Sequence, residues 1–540
     1  MVTDFLPLNG SLDEPAETET EPAVHRLLRA EGGGVQAEVE WAPRFGYADQ
    51  VPEVARTEHG WLAWAGTRSL HLAGVGDEAR VEEDGNGWVL RARLRLEGGE
   101  HRALGTRWGT EAAVVDSAES RRRQDATVEA WRAWVHKAAA TGPRDWAHPH
   151  QELVVRSELV LKLLTHADTG AIAAAATTSL PEEIGGVRNW DYRFAWIRDA
   201  GLAAQAMFAL GHRTEAGAFI DWAERSARES GDRGRGLQIL YGLHGEAEFD
   251  EHELPGLEGY RRSAPVRVGN AAADQLQLDI YGELISAAYE VLRLGGRLDR
   301  DILDFLPEVA DQACAAWRQP DEGLWELRNG PFHFVYSKMM VWMGLERAER
   351  LVARGEITGD AERWATTRRA IAEEVLDRGF DPQLGAFKQS YERSVLDASN
   401  LLLPMQEFLP FDDPRVKQNL ERTLDALTRD GMVFRYEADD GVAGGEGAFN
   451  LCTFWLVDAL ALSGRLEEAE QVFDRMARAS NHLGLFSEQL DPSNGAFLGN
   501  FPQAFSHLGL INSSLYLAHA KGRELPIPSL IGSEEHRTAD

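Results

Sequence analysis

The sequence predicts a mainly α protein, an (α/α)6 toroid barrel that forms the catalytic domain and is preceded by a smaller antiparallel β-sandwich domain. Three observations carry this expectation. The first hundred or so residues alternate apolar and polar with period two, the period changes near Asp116, and a long helical remainder follows. That remainder, about 390 residues of helices joined by long loops, is too large for a simple bundle and accommodates about six helix pairs of about 65 residues.

Residues 1–115 read as the sandwich. In Val35-Gln36-Ala37-Glu38-Val39-Glu40-Trp41 the odd positions are apolar, and Leu90-Arg91-Ala92-Arg93-Leu94-Arg95-Leu96 repeats the pattern, as half-buried antiparallel strands require. Turn signals at Gly32-Gly33-Gly34, Asp84-Gly85-Asn86-Gly87 and Gly98-Gly99 separate the runs. The segment from Asp13 to Pro22, rich in Glu, Thr and Pro, reads as a mobile loop. Residues 116–148 read as a helical linker through Thr127-Val128-Glu129-Ala130-Trp131-Arg132-Ala133-Trp134-Val135. Residues 149–522 form the barrel. One helical stripe runs through Leu276, Ile280, Leu284, Ala287, Ala288 and Val291, a second through Val341, Leu345, Ala348 and Val352, and a third through Leu456 and Leu460 to Val472 and Phe473. Residues 523–540 are a C-terminal tail. In such a toroid the long loops gather at one open end of the inner helices and build a pocket there.

The chain has 540 residues, 44% of them hydrophobic, with 87 acidic against 56 basic side chains and a formal charge of −31. That balance argues against nucleic acid and anionic membrane surfaces as partners and leaves a neutral or cationic small molecule. Sixteen Trp is a surplus of flat rings suited to stacking on sugars. The two cysteines, Cys314 and Cys452, stand in apolar helical surroundings as small buried hydrophobes. No His or Cys spacing suits a metal site, so no metal and no cofactor is expected. Without a basic-then-apolar leader or a long apolar run, the expected location is cytoplasmic. Association into a homo-oligomer is left open.

The densest chemistry lies in Arg188-Asn189-Trp190-Asp191-Tyr192-Arg193-Phe194-Ala195-Trp196-Ile197-Arg198-Asp199-Ala200. A second stretch is Asp321-Glu322-Gly323-Leu324-Trp325-Glu326-Leu327-Arg328, a third runs from Leu485-Phe486-Ser487-Glu488-Gln489 to His507, and a fourth spans Gly259 to Gln275. Together they resemble glycoside hydrolase family 15, the glucoamylase, glucodextranase and trehalase family, in its bacterial type. The resemblance covers about residues 2 to 520 and is strongest in the barrel.

The resemblance implies the roles. Glu326 would be the general acid and Glu488 the general base, two carboxyl groups of different protonation state flanking the scissile bond. A carboxyl beside Trp and Leu is partly desolvated, which favours the protonated form an acid needs. Arg198 and Asp199 would grip the terminal glucose through its 4- and 6-hydroxyls, Trp196 would line that subsite, and Tyr192 would sit near the attacking water. Arg267 and Asn270 are candidate sugar ligands, and Trp325 and Arg328, on either side of the acid, complete the substrate-binding set. Asp491 is the rival for the base, His507 a structural histidine, Glu322 a solvated loop residue, and Asp274 divides between ligand neighbour and helix cap. Fungal members carry a second carboxylate after the acid, where this chain has Leu327. Bacterial members usually carry more strand-forming sequence before the element matched here by Asp4-Phe5-Leu6-Pro7, so either this start is internal to a longer reading frame or the sandwich is reduced.

The leading expectation is an inverting, exo-acting α-glucoside hydrolase of the glucoamylase type, releasing β-glucose from non-reducing ends of α-glucans or α-oligoglucosides. An α,α-trehalase of the same family is the close alternative. An inverting disaccharide phosphorylase, with phosphate in place of the activated water, is more distant, and a non-catalytic sugar sensor more distant still.

Overall fold

The structure, a computed structural model, describes residues 1–12, 19–85, 87–109, 111, 115–138, 144–232 and 236–531. The chain divides into two compact units, Met1–Lys137 and Ala138–Asp540.

The first unit holds eleven strands among its described residues: β1 (Val2–Phe5), β2 (Leu8–Asn9), β3 (Glu19–Thr20), β4 (Ala23–Arg29), β5 (Val35–Trp41), β6 (Glu53–Thr57), β7 (Gly60–Ala65), β8 (Arg68–Ala73), β9 (Arg80–Asp84), β10 (Gly87–Leu96) and β11 (His101–Trp108). They form an antiparallel six-stranded sheet in the order β1-β4-β11-β8-β7-β6, a three-stranded sheet β5-β10-β9, and the pair β2-β3. The two alternating runs read from sequence pair with each other, Leu90 opposite Trp41 and Leu94 opposite Ala37. In β10 the Leu and Ala positions are buried while Arg93 and Arg95 face solvent. Their apolar side chains, Trp41, Leu90, Leu94 and Leu96, share one core with Ala63, Leu72 and Leu104 of the larger sheet, so two sheets sandwich a single layer. Each fully buried Leu contributes about 2 kcal/mol of transfer free energy.

The helix expected to link the halves, α1 (Ser117–Ala138), packs with this β unit. Asp116 caps it, accepting from the amides of Ala118 and Glu119 at 2.9 Å. Ser120 meets His25 at 3.0 Å, and Thr127 accepts from the Leu8 amide at 3.0 Å. Of the Asp13 to Pro22 segment, residues 13–18 lie outside the described residues, and Glu19–Thr20 pairs with Leu8–Asn9.

The second unit contains α2 (Gln151–Leu164), α3 (Ile197–Ala209), α4 (Arg213–Asp232), α5 (Asp279–Arg293), α6 (Arg300–Ala316), α7 (Val335–Ala353), α8 (Ala361–Arg378), α9 (Pro414–Ala426), α10 (Asn450–Leu462), α11 (Leu466–Ala479) and α12 (Ala504–Ala520). An inner ring closes through α3, α5, α7, the short 3-10 helix Ala398–Leu402, α10 and α12, back to α3. Outside it lie α2, α4, α6, α8, α9 and α11. The fold is therefore an (α/α)6 barrel in which one inner helix is reduced to little more than a turn. Composition separates the rings: α3, α5, α7, α10 and α12 are buried nearly all round, whereas α11 buries Ala469, Phe473, Met476 and Ala477 and turns charge to solvent. Inner helices also approach closely, since a Cβ on Gly282 of α5 would overlap the Met340 carbonyl of α7.

The predicted stripes fall on α5 and α7, with Leu276 just before α5. The third stripe is two helices, because Gly464 at φ 84° ends α10 and the chain restarts as α11. Part of the expected tail belongs to the barrel unit: Leu530 is buried, and its carbonyl accepts from Arg293 at 3.2 Å. Residues 532–540 lie outside the described residues. Cys452 is buried on α10 and Cys314 half-buried on α6, both as free thiols. Among the described residues no helix is long and apolar enough to cross a membrane.

Candidate active site

The inner helices begin at one end of the ring, and the loops leading into them enclose a cavity of about 790 Å³ counted to its open mouth. Trp196, Arg198 and Asp199 line it from the start of α3, Gln275 from just before α5, Phe449 from the residue before α10, and Gln503 and Phe505 from the start of α12. Helix N-termini carry partial positive charge, and here they surround a group of carboxyl side chains.

Glu326 stands on a loop closed at its neck by the Asp321–Phe332 backbone pair, at 2.8 and 2.9 Å. Its backbone sits at φ 59° in the left-handed region, a conformation that costs a side-chain-bearing residue about 1 kcal/mol. The carboxyl is anchored through Oε1, which accepts from the Trp196 indole at 2.7 Å and from Gln277 at 3.4 Å, with Arg198 at 3.6 Å. About a quarter of the side chain (23%) stays exposed and lines the cavity. Gln275 supports the loop from below, donating to the carbonyls of Glu326 and Leu327 at 3.4 and 3.5 Å. Leu327 is buried. Glu322 is half-buried and accepts from the Leu276 amide at 2.9 Å, so it fastens the loop to the entry of α5 and is not a solvated bystander.

Glu488 precedes the short strand Gln489–Leu490, which pairs with Ala448–Phe449 and Phe497–Leu498. Its side chain is buried, lines the cavity beside Tyr192, and accepts from the Asn500 amide at 3.3 Å. Oε1 has no hydrogen-bond partner. Burial, reinforced by the nearby Glu182 carboxylate, pushes the Glu488 carboxyl up to about 8 despite the opposing Arg435 guanidinium. Gly499, at φ 71°, makes room for it, because a methyl group there would overlap the Glu488 carboxyl. Gly499→Ala is therefore expected to cost roughly 2 kcal/mol or more of stability and to lower kcat/KM at least about tenfold through the displaced carboxyl. Urea unfolding and steady-state kinetics on the same preparation check both.

The two carboxyl groups hang from one segment. Trp196 holds Glu326, Tyr192 lies on the cavity wall beside Glu488, and the two rings meet edge to face with centroids 5.5 Å apart. Beneath them lies Arg198, buried, bonded to Gln277 and Asp279 at 2.8 Å and 3.7 Å from Asp199. Burial pushes the Asp199 carboxyl up to about 7, against the pull of Arg198 and with the push of Glu326. Its Oδ2, like the Nε of Arg198, has no hydrogen-bond partner. These two atoms are the pair that stands 3.7 Å apart, turned toward each other within the wall.

The remaining predicted ligands divide. Trp325 lines the cavity, its indole bonded to Asp397 at 3.0 Å. Arg328 lines it near the mouth, 3.0 Å from Glu251 and stacked 4.3 Å over Trp190. Asn270 lines it, but its amide is engaged by the Asp191 carbonyl and the Ala272 amide, so Asn270, and not Asp274, caps the turn that follows. Arg267 is not among the lining residues. It donates to the carbonyls of Val187 and Asn189 at 2.8 and 3.1 Å and clamps the loop carrying Trp190. Asp491, the rival base, is spent on a turn with Ser493 and Asn494 and does not line the cavity. His507 is buried between Ser157 and the Phe486 amide, and burial pushes its imidazole down to about 3, so it stays neutral.

Sequence reasoning missed a buried charged group on the Glu488 side of the cavity. Arg188 pairs in bidentate fashion with Asp440 at 2.8 Å, and Arg435 lies between Glu182 and Glu446 with Trp325, Tyr436 and Phe449 around it. The available signal was the polar-aromatic run Phe434-Arg435-Tyr436, similar in kind to the Trp190–Arg193 segment.

The model of the family described as "Glycosyl hydrolases family 15" matches residues 148–515. A trehalase of Mycolicibacterium smegmatis is 35% identical over 528 residues, 94% of this chain and 76% of that protein. A trehalase of Thermoplasma acidophilum is 34% identical over 530 residues, 96% of this chain and 86% of that protein. Among solved structures, a bacterial glucoamylase complexed with acarbose superimposes with a TM-score of 0.70 at 12% identity, covering 97% of this chain and 86% of that one.

Proposed function

The chain belongs to glycosyl hydrolase family 15, and from that premise we propose that it is an inverting α,α-trehalase. The sequence alone ranks a glucoamylase-type activity first. Likeness across nearly the whole chain to two proteins named trehalase supports the opposite order, while the glucoamylase superposition bears on fold alone. The observation that carries the chemistry is the pair of carboxyl groups, Glu326 and Glu488, in the wall of one cavity beside the two adjacent rings of Trp196 and Tyr192.

In this reading one glucosyl unit of trehalose lies against Arg198, Asp199 and Trp196, which line the cavity together. Glu326 gives its proton to the bridging oxygen as the glycosidic bond breaks. Glu488 takes a proton from the water that attacks the anomeric carbon from the opposite face, beside the Tyr192 hydroxyl. The attacked sugar leaves as β-glucose, the other as α-glucose, and the proton gained by Glu488 returns to Glu326 through solvent.

Proton NMR of fresh enzyme with trehalose, maltose, isomaltose and soluble starch in parallel tests this directly. Equal early signals of α- and β-glucose from trehalose, with the other three slow, are expected. Two α-glucoses from trehalose would mean retention, and fast β-glucose from maltose or starch would restore the glucoamylase reading. Glucose 1-phosphate formed only with inorganic phosphate would make the enzyme a phosphorylase.

A further inference from the structure

Behind Glu488 lies a second buried carboxylate that the acid–base pair does not use. Glu182 is 2% exposed and lines the same cavity. It accepts from the Trp190 indole at 3.0 Å, and Arg435 and Arg188 stand 3.5 and 3.9 Å away. The charged groups of this cluster are four carboxylates, Glu182, Glu446, Asp440 and Glu488, against two guanidinium groups, Arg188 and Arg435. Asp440 occupies Arg188 in bidentate fashion and Glu446 occupies Arg435, so negative charge is left over. Glu488 itself faces Tyr192, the Asn500 amide, Arg435 and Glu182.

We propose that Glu182 is a positioning residue for Glu488: clamped by Trp190, Arg188 and Arg435, it keeps a negative charge against the base and so sets the strength with which Glu488 draws a proton from water. The proposal rests on Glu488 being the base. Glu182 has the Trp190 indole N–H at 3.0 Å and a share of Arg435 at 3.5 Å to stabilise its anion, so it ionises first. Glu488, whose Oε1 has no donor, holds its proton longer. Both carboxyls are pushed up by burial, Glu182 to about 7 and Glu488 to about 8. A base must be deprotonated to act, so its proton affinity appears as the acid limb of kcat/KM. An adjacent negative charge raises that affinity, and removing the charge moves the limb to lower pH.

The test is the pH profile of kcat/KM, on trehalose or on whichever α-glucoside the wild type turns over. The wild type should show an acid limb between about pH 7 and 8. Glu182→Gln keeps the acceptor for Trp190 and removes the charge; its limb should fall by about one unit and its high-pH plateau by about threefold, since base strength is only partly expressed in the transition state. Glu182→Asp keeps the charge but draws it back, and should shift the limb by less; it carries the test if the Gln variant does not fold. A limb that stays in place in either folded variant, whatever the loss of rate, overturns the proposal, and so does a wild-type limb near pH 4. Glu488→Gln run alongside separates the two levels. If it keeps its rate, the base assignment itself falls and this proposal with it; if it is inactive while the Glu182 limb does not move, this proposal falls alone.

Discussion

Glu326→Gln is expected to lower kcat for trehalose by about 10³-fold while leaving the fold intact. The amide keeps the volume of the carboxyl and can still accept from the Trp196 indole, which holds Oε1 at 2.7 Å. What it lacks is the proton for the bridging oxygen. A sugar alkoxide is a poor leaving group, so its protonation carries much of the barrier. Fluoride needs little such help, and α-glucosyl fluoride should therefore be hydrolysed by the variant within about tenfold of the wild-type rate. Equal losses on both substrates would mean that Glu326 acts other than as the acid.

Glu488→Gln should cost about 10³-fold as well, but on trehalose and on α-glucosyl fluoride alike, because both need an activated water. Binding should persist, since Arg198, Asp199 and Trp196 are untouched. Quenching of tryptophan fluorescence by trehalose reads this directly, with Trp190, Trp196 and Trp325 all in the cavity wall. Fluoride hydrolysis that survives in Glu488→Gln would remove it from the role of base. The two variants together make a cross: one rescued by a better leaving group, the other not.

What sequence could show of this molecule follows the range of the interactions involved. Strand alternation in 35–41 and 90–96 is local, and it anticipates the sandwich, whereas the pairing of those two strands with each other appears only in the fold. The helical period is local too, so barrel and sandwich were both legible. Legibility ended at contacts between distant segments. Arg188 and Asp440 are 252 residues apart, and nothing in either neighbourhood points to the other. The same holds for Glu182 and Arg435. Arg267 carries the right chemistry for a sugar ligand, yet its guanidinium is taken up by the backbone of residues 187–189, which only the folded path of the loop could reveal. The third stripe ran two helices together because the apolar period carries on across Gly464, whose left-handed backbone is what separates them.

The placing of Glu326 against Trp196 and of Glu488 beside Tyr192 has a mechanical consequence. Had each carboxyl been fixed only by its own loop, their separation would accumulate every small error of packing across the width of the ring. Both instead meet one short stretch, five residues from end to end, so that a change in the path of that stretch reaches acid and base together. The distance on which the stereochemical outcome depends is thus tied to the path of that stretch, and loops elsewhere around the mouth bear first on the choice of leaving sugar.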